Sequence, residues 1–189
     1  LEVHNPAAFD NAFRIPARNV HCAELFARHF AGHVGDADVV AVAPDSGGAK
    51  RAEQFRQALE RQLGRPVGSA LMEKHRVHMT LTGTLLVGDV AGKTAIVFDD
   101  LISTGETLKR AGLACQRAGA ARIFAAATHG LFTNGEQLFD PPLFEHIAIA
   151  DGVPPFRLSA DCVKQHVHVV DSTALIATLL AENGAFDSV

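Results

Sequence analysis

Residues 94–108 constrain this 189-residue chain more than any other stretch. Thr94-Ala95-Ile96-Val97-Phe98 is a β-branched and aromatic run introduced by Gly92-Lys93, short enough for a buried parallel strand. Beyond Thr107 the period changes. Leu108, Ala111, Cys115 and Ala118 fall three or four apart, and Gly119 follows in the position of a helix C′ residue. Residues 103–107 therefore turn from a buried strand into a helix N-terminus. Such a turn exposes amide groups with no partner inside the helix, and the helix dipole adds partial positive charge there. A phosphate fits that place, with Ser103, Thr104 and Thr107 hydroxyls as further donors, Gly105 admitting close backbone approach and Glu106 between them. Asp99 and Asp100, at the strand's end, point toward sugar hydroxyls or a metal-bound group beside the phosphate. Phosphate plus polyol is the chemistry of a phosphorylated sugar.

The strand, glycine-turn, helix pattern occurs a second time. Asp38-Val39-Val40-Ala41-Val42-Ala43 is another buried strand, broken by Pro44-Asp45-Ser46-Gly47-Gly48-Ala49-Lys50-Arg51. The helix after it has Ala52, Phe55, Leu59 and Leu63 on one face and stops before Gly64. Gly47 and Gly48 let the backbone approach a diphosphate, Ser46 lies between them and Asp45, and Asp45 is placed to hold the diphosphate's Mg²⁺. Further strands are expected at residues 67–72, 80–87, 122–128, 147–149 and 167–170. A helix is expected from Cys22 to Phe30, with Phe26 and Phe30 inward, and a last helix capped by Ser172 or Thr173. Strands alternating with helices imply an α/β fold, a mostly parallel twisted sheet flanked by helices, with ligands at the strands' carboxyl ends. His75 and His78 lack a third metal ligand nearby in sequence, and His166 and His168 read as ordinary residues of an edge strand.

Composition narrows the function classes. Apolar residues make up 48% of the chain, and no apolar run reaches the ~18 residues of a membrane span. A net charge of −4 without basic clustering argues against a nucleic-acid partner. Cys22, Cys115 and Cys162 are an odd, scattered set, so neither a disulfide framework nor a zinc motif is indicated. With no signal or transit segment, a cytoplasmic location is expected.

Residues 97–107 resemble the 5-phosphoribosyl-diphosphate binding motif of type I phosphoribosyltransferases, a superfamily that includes the ribose-phosphate pyrophosphokinases. Pro44-Asp45-Ser46-Gly47-Gly48-Ala49-Lys50-Arg51-Ala52 resembles the latter family's Pro-Asp-x-Gly-Gly-x-x-Arg-Ala pyrophosphate loop. Lys74-His75-Arg76 matches its Lys-x-Arg at the root of a mobile loop, and Ala127-Thr128-His129-Gly130 matches its Ala-Thr-His-Gly. Leu1-Glu2-Val3-His4, with Phe9, Phe13 and Ile15-Pro16 after it, is similar to the family's hinge and reads as a strand end cut from something longer. Ser103 stands where many members have Asp, and Glu106 where many have Gly.

The resemblance implies a hinge remnant at residues 1–18 and a phosphoribosyltransferase-like domain at residues 19–189. It implies a homo-oligomer that transfers the pyrophosphoryl group of ATP to ribose 5-phosphate, with Mg²⁺ as cofactor. Residues 103–107 would grip the 5-phosphate, Asp99 and Asp100 the ribose hydroxyls, Asp45 and His4 the metal, and Lys74 and Arg76 the transition state. A base phosphoribosyltransferase and a non-catalytic synthetase-like regulatory subunit remain as alternatives.

Overall fold

The computed structural model describes residues 1–15, 17–77 and 80–182, at 74–77 and 80–84 for the backbone alone. In chain order the elements are α1 (Pro6–Ala12), α2 (Ala23–Ala31), β1 (Val39–Ala43), α3 (Ala49–Leu63), β2 (Gly68–Val77), β3 (Thr80–Val87), β4 (Thr94–Ile102) and α4 (Glu106–Arg117). β5 (Arg122–Gly130), β6 (Ile147–Ala150), α5 (Ala160–His166), β7 (Val167–Val170) and α6 (Thr173–Glu182) complete them. Among the described residues seven strands form one sheet in the order β3-β2-β1-β4-β5-β6-β7, and every pairing is parallel except β2 with β3. From β1 the chain goes one way to β2 and returns on the other side as β4. The two strands part their connections at this point, leaving a crevice outside their carboxyl ends.

The side-chain period of two divides the core between the faces. Val40, Val42, Ala95, Val97, Ala125 and Ala127 face α4, whose Leu108, Ala111 and Cys115 are fully buried against them. Val39, Ala41, Ile96, Phe98, Phe124 and Ala126 face α2 and α3. There Phe26, Phe30 and Phe55 are buried, and Phe55 stacks on Phe98 with ring centroids 4.4 Å apart. By the same alternation Asp100 follows Ile96 and Phe98 onto the α3 face, at 2% exposure.

Four expectations are corrected. Leu1–His4 is not paired in a strand; its backbone is held by a Glu2 N–H donating to the Val20 carbonyl at 2.7 Å. Lys74-His75-Arg76 does not follow β2 but lies within it, because β2 continues into an antiparallel hairpin with β3, with a register shift between His75 and Arg76. Ser172 does not cap α6 with its hydroxyl, which donates to Asp151 Oδ1 at 2.6 Å; the Thr173 N–H donates instead to Asp171. His166 ends α5, whereas His168 sits in β7. The side chains of Lys74, His75 and Arg76, together with all of Pro16 and His78, lie outside the described residues.

Candidate functional site

At the end of β1, Asp45 adopts extended backbone and its Oδ1 accepts the Gly48 N–H at 3.0 Å. That bond closes a single 3₁₀ turn over Ser46–Gly48 and starts α3 immediately after it. Helix α3 ends at Gly64, whose left-handed φ of 65° suits glycine. Arg51, in the first turn of α3, points back across the crevice to the end of β4. Its Nη1 donates to Asp99 at 3.1 Å and its Nη2 to Asp100 at 2.5 Å, while Nε stands 3.7 Å from Glu2. One guanidinium thus serves two adjacent carboxylates from the neighbouring strand.

Asp100 is further bonded by His4 Nδ1 at 2.8 Å, which brings residue 4 onto the motif 96 positions away. Two other links hold this segment. Buried Glu2 accepts the Cys22 N–H at 2.8 Å and lies 3.0 Å from His21 Nδ1, and His129 Nε2 sits 3.0 Å from the Leu1 carbonyl. His129, without a clear role in the sequence, therefore anchors the segment that carries His4.

Asp99 is left with the smaller share of cation. Burial above all, and the neighbouring Asp100, hold its carboxyl above the usual aspartate range, against the Asp100 N–H and Arg51.

Strand β4 reaches Ile102, so Asp99 and Asp100 occupy its last residues and the connection to α4 is only Ser103-Thr104-Gly105. Glu106 and Thr107 already belong to the helix. The Ser103 carbonyl accepts the Thr133 N–H at 2.8 Å, tying the turn to the loop after β5. Thr104 Oγ1 accepts the Glu106 N–H at 3.4 Å. Gly105 has φ of 87°, and a Cβ there would come within 3.0–3.2 Å of Leu138. Glycine is needed for both reasons, so packing against Leu138 joins ligand approach as a cause of this residue. Glu106 is exposed at the first position of α4, where a carboxylate is favourable to the helix dipole.

A cleft of about 530 Å³ joins these parts. Its lining includes His4, Asp45, Gly47, Gly48, Arg51, Asp99, Asp100, Ser103 and Thr107. The structure thus brings both glycine turns, the carboxylate pair and His4 to one rim, as the strand topology requires. Arg51 is the site residue that motif reading misses, although it stands inside the second glycine motif. Its position in the first turn after Gly48, on the edge facing β4, is the signal that marks it.

The chain as a whole has counterparts among known proteins. Residues 69–183 match the family model described as phosphoribosyl synthetase-associated domain. A ribose-phosphate pyrophosphokinase of Caldanaerobacter subterraneus subsp. tengcongensis is 34% identical over 169 residues, covering 87% of this chain and 51% of the relative. Ribose-phosphate pyrophosphokinase B of Dictyostelium discoideum is 31% identical over 179 residues, covering 87% of this chain and 52% of the relative. The crystal structure of phosphoribosylpyrophosphate synthetase from Mycobacterium smegmatis superposes with a TM-score of 0.80 at 27% identity, over 98% of this chain and 57% of that one. The chain spans about half the length of the curated relatives it matches.

Proposed function

The chain belongs to the ribose-phosphate pyrophosphokinase family, and from that premise we propose that its cleft binds ribose 5-phosphate for pyrophosphoryl transfer from ATP. The observation that carries this is the single cleft lined by Gly47, Gly48, Asp99, Asp100, Ser103 and Thr107. In the reaction the sugar's 1-hydroxyl oxygen attacks the β-phosphorus of ATP, the bond from that phosphorus to the α–β bridging oxygen breaks, and AMP leaves. The turn into α4 supplies amides and hydroxyls for the 5-phosphate. Asp99 and Asp100 accept from the ribose hydroxyls, and Arg51 holds the two carboxylates in place. Lys74 and Arg76 contribute cationic charge for the transition state.

The residues present fit a Mg²⁺ ion: the second oxygen of Asp45 is not used by the Gly48 bond, and carboxylate oxygen is the donor this ion prefers. His4 offers Nε2 alone, since Nδ1 is committed to Asp100. Mg²⁺, when bound, neutralises phosphate charge and orients the diphosphate. A homo-oligomer and a cytoplasmic setting accompany the proposal, on the strength of the family resemblance. Because the relatives are about twice as long, we propose that this chain alone binds the sugar phosphate but forms no AMP. AMP formed from ATP, Mg²⁺ and ribose 5-phosphate by the purified chain would overturn that second statement.

The binding itself is tested by calorimetry with ribose 5-phosphate. Replacing both Thr104 and Thr107 by Ala weakens binding by about 1–3 kcal/mol, the range for hydrogen bonds to charged groups. Unchanged affinity would put the phosphate elsewhere.

A further inference from the structure

Far from the cleft, four histidines that are scattered in sequence converge. His29 lies in the last turn of α2, and His33, four residues on, in the turn just after it. His146 precedes the amino end of β6, and His168 lies in β7, where it is in register with Ala148. One ring nitrogen from each lies within 4.8 Å of those of the other three. His146 and His168 stack with centroids 3.8 Å apart, and His29 Nε2 faces His146 Nε2 at 3.1 Å. The cleft sits at the carboxyl ends of β1 and β4, so this cluster occupies the opposite end of the sheet and plays no part in the site above.

We propose that His29, His33, His146 and His168 bind one divalent transition-metal ion, with Zn²⁺ as the probe, and that the ion staples α2 to the β6–β7 edge of the sheet. The donor set decides the class of ion. Imidazole nitrogen suits Zn²⁺, Co²⁺, Ni²⁺ and Cu²⁺, whereas Mg²⁺ and Ca²⁺ take oxygen. One tautomer is already set: His33 Nδ1 donates to the His29 carbonyl at 2.7 Å, which leaves the Nε2 lone pair available. That backbone bond is the support a metal-bound histidine normally has.

His29 and His146 are also held in the ligating, neutral form. Burial and the neighbouring histidines push His29 down to about 4 and His146 down to about 3, so at neutral pH no proton has to leave either. His168 is lowered for the same reasons. An apolar wall backs the cluster, with the Phe30 ring stacked on His146 at 5.6 Å and Phe124 at 4.8 Å. Arg122, whose charge acts on His146, makes two hydrogen bonds to Glu145 at 2.6 and 2.7 Å, and its Nη1 donates to the His33 carbonyl.

Among the described residues no carboxylate pairs with any of the four rings, so the polar faces have only one another and the backbone to meet. Tetrahedral Zn²⁺ with Zn–N of about 2.0–2.1 Å needs nitrogens about 3.4 Å apart. The widest pair must close by a little over ~1 Å, within reach of χ rotation alone. His29-x-x-x-His33, spanning the end of α2, is the signal in the sequence. Its partners lie 113 and 135 positions beyond His33, at His146 and His168, and only the packing of α2 across β6 and β7 supplies them.

The test uses the purified chain freed of metal by EDTA. Zn²⁺ is titrated against a chromophoric chelator, and Co²⁺ is added in a parallel spectrum. One equivalent of Zn²⁺ per chain, an intense visible d–d band with Co²⁺, and a Zn²⁺-dependent rise in thermal midpoint are expected. His33→Ala and His168→Ala each lower the affinity by about 100-fold or more, since outer partners alone cost 10–100-fold. Asp45→Asn, in the cleft, retains it. Zn²⁺ affinity that is the same in both histidine variants as in the native chain, or no binding at all, overturns the proposal. Should a variant fail to fold, the native Co²⁺ spectrum decides: a weak octahedral spectrum refutes a four-nitrogen site.

Discussion

Replacing Arg51 by Met removes one cation from between three carboxylates while keeping most of the side-chain volume. In the native protein the guanidinium makes hydrogen bonds of 3.1 Å to Asp99 and 2.5 Å to Asp100, and stands 3.7 Å from Glu2. The Asp100, Asp99 and Arg51 side chains are 3%, 16% and 17% exposed, so water screens these pairs little. A hydrogen bond to a charged group contributes about 1.5–3 kcal/mol, and two that share one donor group are not additive. Stranding one side of a buried ion pair costs about 3–5 kcal/mol, and that is the expected loss. For a chain of this size it corresponds to a fall in thermal midpoint of about 6–20 °C.

The loss depends on pH, and its sign follows from linkage. Without Arg51 the Asp99 carboxyl, already held above its unfolded value by burial, loses a cation that pulls it down and is raised further. The folded variant then binds more protons than the unfolded chain, and its stability increases as pH falls through the raised value. Urea unfolding at about pH 7.5 and about pH 5 measures both effects, with the penalty smaller at the lower pH. A variant within ~1 kcal/mol of native at the higher pH would refute the account, because the retained volume rules out a large cavity term. A full penalty at both pH values would assign the loss to packing rather than to charge.

Other outcomes follow from single residues. In the native protein Asp99 has a folded pKa raised to about 6, mainly by burial, against an unfolded value near 4. The folded state therefore binds the extra proton between those values, so native stability falls as pH rises from about 4 to about 6, and Asp99→Asn flattens that slope. Gly105→Ala forces a Cβ onto a φ of 87° and to within 3.0 Å of Leu138, and lowers stability by about 1–3 kcal/mol in urea unfolding; an unchanged midpoint would refute both contacts. Phe55→Ala empties a fully buried position stacked on Phe98 and costs about 3–5 kcal/mol, whereas Phe13→Ala, at 48% exposure, costs under ~0.5 kcal/mol; equal effects would mean the core is misassigned.

Much of this protein is legible in local chemistry alone. The run from Thr94 to Phe98 and the apolar spacing from Leu108 to Cys115 define β4 and α4, because burial on two faces and burial on one stripe leave different periods. Asp45-Ser46-Gly47-Gly48 is legible for the same reason: its turn is closed by a bond only three residues long, from the Gly48 N–H to Asp45. Contacts between distant segments are not. Nothing in the neighbourhood of Lys74 says that β2 continues through it, since the antiparallel hairpin depends on its pairing with β3.

His4 meets Asp100 and Arg51 spans two strands because β1 and β4 lie side by side, an arrangement that no local period encodes. The four-histidine cluster is the extreme case. His168 reads as an edge residue in its own strand and becomes one wall of a nitrogen-lined site once α2 lies across β7. Sequence alone determined the central elements β1, α3, β4 and α4 and the glycine-containing turns that join them. Only the tertiary structure decided which charges share a partner, because electrostatic energy depends on separation in space and the chain's order does not record it.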